Sequence, residues 1–201
     1  LTGLNDPSRA ADDHGFDHGT AVAGIIGAVA FNGRGGRGVA YNARLRGYNL
    51  LASGAFSVAN MAKSFGSDPI SADNDVFNAS FGLRSANALP KFSGAYQAIA
   101  STSLTLRGGL GAAIVNAAGN DFVDWGSSPP GIGLCNAANQ FGVSCGDPAT
   151  DERRGGYVPI IVGAIDADGR HSSYSSTGSS LWISAPGGEY GLNSAYHTAG
   201  S

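Results

Sequence analysis

The chain has 201 residues, enough for one domain with a buried core, and carries 12 Lys+Arg against 15 Asp+Glu for a net charge of −3. That balance implies no basic surface for nucleic acid, and no stretch reaches the ~18 apolar residues a membrane-spanning helix requires. Glycine is the outlier at 32 of 201, where ~7% is ordinary; the glycines have no three-residue period and lie beside apolar runs, which excludes collagen and disorder. A polar, Asp-rich lead over residues 5–17 runs into HGTAVAGIIGAVA at 18–30, whose small and apolar residues recur all round and predict a buried helix. FNGRGGRGVAYN (31–42) reads as a glycine loop and RLRGYNLL (44–51) as a strand. A short helix is predicted over 57–65, with Ser57 as its N-cap. DVFNASFG (75–82) is the second strand. Residues 91–106 have helical spacing, stopped by Gly108-Gly109. GAAIVNAAGN (111–120), YVPIIVGAID (157–166) and SLWISAPGG (180–188) are three further strands, with an Asp-Gly turn at Asp168-Gly169. Strands alternating with helices predict an α/β fold, a mainly parallel sheet covered on both faces. There is no internal repeat and no low-complexity linker.

The segment 121–156 is long for a loop, and loops of that length inside a domain usually carry function. It holds both cysteines, Cys135 and Cys145. Their spacing excludes a CxxC metal or redox site and favours one disulfide over two free thiols. A disulfide implies an oxidising compartment. GRGGRG at 33–38 fits the letters of a dinucleotide loop, but such a loop must follow a strand and open a helix, and this one follows a helix. Asn78-Ala79-Ser80 spells a glycosylation sequon inside an apolar strand, where burial is the simpler reading.

Two residues stand out chemically. His18 opens a helix of small residues that can pack closely, and a histidine held there suits a general base. Asn120 ends a buried apolar strand directly after Gly119, and a carboxamide at a strand tip can donate to a developing oxyanion. Ligands of open parallel sheets bind at the carboxyl ends of the strands, where Gly82 and Asn120 both fall.

Together these segments resemble the subtilisin-like serine peptidases. HGTAVAGII from His18 is similar to that family's histidine segment, Ser80-Phe81-Gly82 to its substrate strand, and Ala117-Ala118-Gly119-Asn120 to its oxyanion segment. GVAYNARL at 38–45, RGGLG at 107–111 and IVGAIDADGRHSSYSSTGSSLWISAPGG resemble the kexin/furin branch in its secreted bacterial forms. The resemblance runs from His18 through nearly all of the chain and implies a three-layer αβα architecture. It also implies roles. His18 would be the base of a Ser/His/Asp triad, and Asn120 the oxyanion donor. Ser80, Phe81 and Gly82 would pair with an extended peptide, and Ala117, Ala118 and Gly119 would wall the pocket for the residue before the cut. The loop after the histidine helix would bind Ca²⁺ through the carbonyls of Val29, Arg34 and Gly36 and the side chain of Asn32, all hard oxygen ligands.

The chain also departs from the family pattern. The aspartate that orients the histidine normally ends an apolar strand upstream, but Asp6, Asp12, Asp13 and Asp17 all lie in polar sequence. No Gly-Thr-Ser nucleophile segment occurs. Residues 1–201 are therefore expected to be a partial catalytic domain, lacking the N-terminal strand and the serine segment, which a flanking segment or a second chain would supply. The acidic cluster that recognises basic substrates is replaced by Leu83-Arg84-Ser85-Ala86-Asn87, leaving Asp124 and Asp147 as candidate acids at the pocket. Ser176 stands where a glutamate is expected, which argues against a second calcium site. The resulting expectation is a secreted, calcium-binding serine endopeptidase, extracellular or periplasmic, that acts on peptides or proteins, with a preference for Arg or Lys before the cut and a β-rich domain downstream. The alternative is a non-catalytic binding or regulatory domain of the same fold.

Overall fold

The computed structural model describes residues 18–50, 55–82, 94–123, 137 and 139–189. The chain divides between Ser64 and Phe65 into two compact units.

In the first unit, α1 (His18–Gly27) forms where predicted. Its C-terminal carbonyls are closed by the chain returning from the glycine loop. The amide of Gly38 donates to Ala28 O (2.9 Å), Val39 to Ile25 O (3.0 Å) and Ala40 to Ile26 O (2.8 Å). Those acceptors are groups a helix end leaves without intrahelical partners. Gly38 is required for the approach, because a Cβ there would stand 2.5 Å from Gly27 Cα. The burial expected of α1 is not found. None of its residues is buried, and Ile25 is 69% exposed. Val22 and Ile26 are only half-buried, and backbone closure at one end stands in for a buried side-chain face. Residues 44–50 are not a strand; an extended segment becomes one only beside a partner ladder, and the described residues provide none there. The short helix α2 (Val58–Ala62) has its predicted cap, with Ser57 Oγ accepting from the Asn60 amide at 3.1 Å.

The second unit is built on a four-stranded, all-parallel sheet in the order β1-β2-β3-β4. The strands are β1 (Val76–Ala79), β2 (Ala113–Ala117), β3 (Ile160–Ile165) and β4 (Leu181–Pro186). The register pairs Ala79 with Asn116, Asn116 with Ile161 and Ala117 with Val162, and a bulge lies between Ile161 and Val162 where β3 meets β4. The helix α3 (Gly94–Gly109) connects β1 to β2, and its regular turns stop at Leu106 and Arg107, where ψ reaches 166° and φ turns to +56°. The Gly111 amide then returns to Leu106 O at 3.0 Å and that of Ala112 to Ser103 O at 2.8 Å. Burial alternates along the first strands: Phe77, Ala79, Ile114 and Asn116 face inward, while Val76 and Asn78 face out. Asn78 is thus exposed rather than buried as its apolar neighbours suggest, and its amide donates to Ser80 Oγ at 2.9 Å. The core gathers Phe65, Phe77, Ile99, Leu106, Ile114 and the fully buried Ile161, with the Phe65 and Phe77 rings 5.4 Å apart. The Asp-Gly turn is present, closed from the Gly169 amide to Asp166 O at 3.1 Å. Among the described residues no helix is long and apolar enough to cross a membrane.

Gly38→Ala forces a methyl group against backbone that cannot yield, and overpacking of this kind costs about 1–3 kcal/mol. A fall in thermal unfolding temperature is the expected outcome for the full-length variant; an unchanged temperature would contradict the closure described for α1.

Candidate active site

Because every strand of the sheet runs the same way, β1 and β2 deliver their carboxyl ends side by side. Beyond β1 the chain continues through Ser80 and Phe81 to Gly82. Beyond β2 it runs through Ala118 and Gly119 to Asn120. The sequence reading placed both tripeptides here, and the structure brings them together in one unit.

Three side chains fix the pair. Asn116, 3% exposed on β2, donates from Nδ2 to Ala79 O at 2.8 Å and to Phe81 O at 3.2 Å. It continues the tie between the strands past the last ladder bond. Ser176, 1% exposed, receives the Asp121 amide on Oγ at 2.9 Å, while its own amide donates to Gly119 O at 2.9 Å. The Asn120 backbone is thus held on both sides, and its carboxamide stays exposed and takes none of these bonds. Gly119 makes the bend with φ at +108°, a region L side chains rarely enter, and a Cβ there would lie 2.6 Å from an Arg154 nitrogen.

Arg154 is the third. Its guanidinium is buried, donates from Nη1 to Ala118 O and from Nε to Asp151 Oδ2 at 3.1 Å. Burial pushes it below the ordinary arginine value, and the Asp151 carboxylate opposes that shift. Asp151 is itself buried and also binds Arg153 through both oxygens, at 2.9 and 2.7 Å. The Arg153 guanidinium lies over the Phe81 ring, 5.5 Å from its centroid. Two arginines on one carboxylate therefore reach Phe81 and Gly82.

The other predicted residues fall as follows. Ala117 is the exposed end of β2, and the Ala118 amide extends the ladder to Val162 O at 2.9 Å. Asp147 is exposed and spends Oδ1 on the Ala149 amide, at 2.9 Å, as N-cap of the 3₁₀ turn Pro148–Thr150. Asp124 and Cys135 lie outside the described residues. No cysteine among the described residues is free. His18 is exposed as the first residue of α1, in the other unit. At the opposite end of α1, the carbonyls of Val29, Arg34 and Gly36 accept none of the bonds that close the glycine loop, and Asn32 Oδ1 receives the Arg34 amide at 3.0 Å. That oxygen keeps a second lone pair, and carbonyl and carboxamide oxygens are the donor type that a hard cation takes. Sequence reasoning missed Asn116, Asp121, Asp151, Arg154 and the holding role of Ser176. Asn116 gave a signal, as a polar residue within an apolar strand, and so did the charged run at 151–154. Asp121 bears on the pocket because its carboxylate stands 3.6 Å from the place of a Cβ on Gly119.

The chain is similar to known proteins in sequence and in fold. The model of the Subtilase family matches residues 4–201. The Aeromonas extracellular serine protease of Aeromonas sobria is 36% identical over 199 residues, covering 96% of this chain and 30% of that protein. The crystal structure of the serine protease of Aeromonas sobria is similar with a TM-score of 0.73 at 32% identity, over 95% of this chain and 32% of that one. The complex of that protease with a chaperone gives 0.69 at 32% identity, over 87% and 29%. This chain therefore spans about a third of the length of the relatives it matches.

Asp151→Ala strips the partner from two guanidiniums at once. Breaking a buried ion pair from one side costs about 3–5 kcal/mol, and denaturant unfolding of the full-length variant should show a loss of that size. A loss below about 1 kcal/mol, as for a surface pair, would contradict the anchor described here.

Proposed function

Since this chain belongs to the subtilase family, we propose that it forms part of the catalytic unit of a secreted serine endopeptidase of the kexin/furin branch. The observation that carries this reading is Asn120: a carboxamide left exposed at a strand tip whose backbone is held on both sides. In the reaction, a serine hydroxyl attacks the peptide carbonyl while His18 accepts its proton. The carbonyl oxygen becomes an oxyanion and accepts a hydrogen bond from Asn120 Nδ2. Collapse expels the amine, which takes the proton back from His18, and water then hydrolyses the acyl-enzyme with His18 again as base. The serine and the carboxylate that orients His18 come from a flanking segment or a second chain in this proposal.

Ser80, Phe81 and Gly82 offer the edge along which an extended substrate adds as a strand. Ala117, Ala118 and Gly119 wall the pocket beside them. Asp121 and Asp147, with Asp124, supply negative charge for an Arg or Lys before the cut. The four oxygens of Val29, Asn32, Arg34 and Gly36 would hold Ca²⁺, which on binding stiffens the loop that closes α1. Cys135 and Cys145 form one disulfide in this reading, supported by the lack of a free thiol among the described residues. Secretion agrees with that disulfide and with the extracellular nature of the Aeromonas sobria relative.

The test is hydrolysis by the full-length protein of peptides with Arg, Lys-Arg, Phe or Leu before the cut, with and without a calcium chelator. Arg and Lys-Arg peptides should be cleaved fastest, and chelation should slow all of them. Asn120→Ala should lose about 10²–10³ in kcat, a magnitude measured on a subtilisin. Peptide binding without turnover would favour the non-catalytic alternative, and equal rates for Asn120→Ala and wild type would remove Asn120 from the mechanism.

A further inference from the structure

The Arg154 side chain touches both backbone segments that the proposed peptidase uses, and it touches them on glycines. A Cβ on Gly82 would stand 2.7 Å from Arg154 Cζ and 2.8 Å from Nη2, while a Cβ on Gly119 would stand 2.6 Å from Nη1. The planar guanidinium therefore packs directly against the backbone of both Gly82 and Gly119. It is pinned there by the carbonyl of Ala118 and by Asp151 Oδ2. Asp151 is fixed in turn by the hydrogen bond its backbone amide donates to Pro148 O, at 3.2 Å, and by Arg153, whose guanidinium covers Phe81. The position needs a flat group with several donors. Lysine, a point charge on a flexible stem, would meet the charge requirement and not the shape.

We propose that Arg154 is a positioning residue for peptide cleavage: its guanidinium is the spacer that sets the separation between the Gly82 substrate edge and the Gly119-Asn120 oxyanion segment. This rests on the peptidase reading above. The spacing matters because an oxyanion donor works only within about 2.7–3.1 Å of the developing charge. A misplacement of about 1 Å can cost about 10²-fold in rate. The substrate strand keeps its own hydrogen bonds when the spacer is lost, so peptide binding suffers less than turnover.

The experiment uses the full-length protein and its best peptide, with Arg154→Met, Arg154→Lys and Gly82→Ala measured beside wild type. Arg154→Met is expected to lose about 10²-fold in kcat with a much smaller change in KM. Guanidinium ion, added well below denaturing concentration, should restore part of that loss, whereas methylammonium should not. Arg154→Lys should show the same kcat-selective loss, and it serves as the reading if Arg154→Met fails to fold. Gly82→Ala, which presses a methyl group onto the guanidinium, should cost far less in the Arg154→Met background than in wild type. The proposal is overturned if folded Arg154 variants keep wild-type kcat, if KM carries the loss, or if guanidinium rescues nothing. A wild-type protein that cleaves no peptide would overturn the peptidase reading itself, an outcome distinct from these.

Discussion

A guanidinium taken out of water must find an anion and oxygen acceptors, because leaving it unpaired in the interior costs several kcal/mol. Arg154 meets that demand with Asp151 and the carbonyl of Ala118. The acceptors it finds belong to different parts of the second unit: one to the long segment after β2, one to the tip of β2 itself. Satisfying one buried charge therefore ties the 121–156 segment to the end of the sheet. The glycines at 82 and 119 follow from the same requirement, since a side chain at either would occupy the space the guanidinium needs. What reads in the sequence as an excess of glycine is in part the footprint of this arginine.

The sheet and the side chains divide the labour. Parallel strands place two chain ends next to each other at one edge, which any parallel pair would do. They do not fix the conformation past the last ladder bond. Asn116 does so for β1 by holding the carbonyls of Ala79 and Phe81, and Ser176 does so for β2 by bracketing Asn120. A similar economy closes α1, where backbone amides from 38–40 replace side-chain burial. In both places irregular backbone is held by hydrogen bonds that leave Asn120 and loop residues 29, 34 and 36 exposed.

The apolar runs that became β1 to β4 were legible because strands need little besides continuous β-prone residues, although β4 holds no buried residue; the Ser57 cap and the Gly108-Gly109 stop announced the limits of their helices. The family was legible for a different reason, the close resemblance of residues 18–26, 80–82 and 117–120 to its members. RLRGYNLL misled because extended propensity says nothing about whether a partner ladder exists. Residues 18–30 gave the helix and not its exposure, since small and apolar residues recur all round it and leave no face for periodicity to orient. Ser176 looked like a missing glutamate and proved to be a clamp. The Arg154 bond to Ala118 spans 36 residues of sequence, and no local pattern carries a contact of that range; only the charged run at 151–154, odd within a glycine-rich loop, hinted at an interior use.

The most direct measurement is a crystal structure of the full-length protein with a peptidyl boronate bound. The account predicts inhibitor backbone paired along Ser80 to Gly82, a boronate oxygen accepting from Asn120 Nδ2, and the Arg154 guanidinium packed between Gly82 and Gly119. An inhibitor seated elsewhere, or an Arg154 side chain swung out of that gap while the inhibitor is bound, would contradict it.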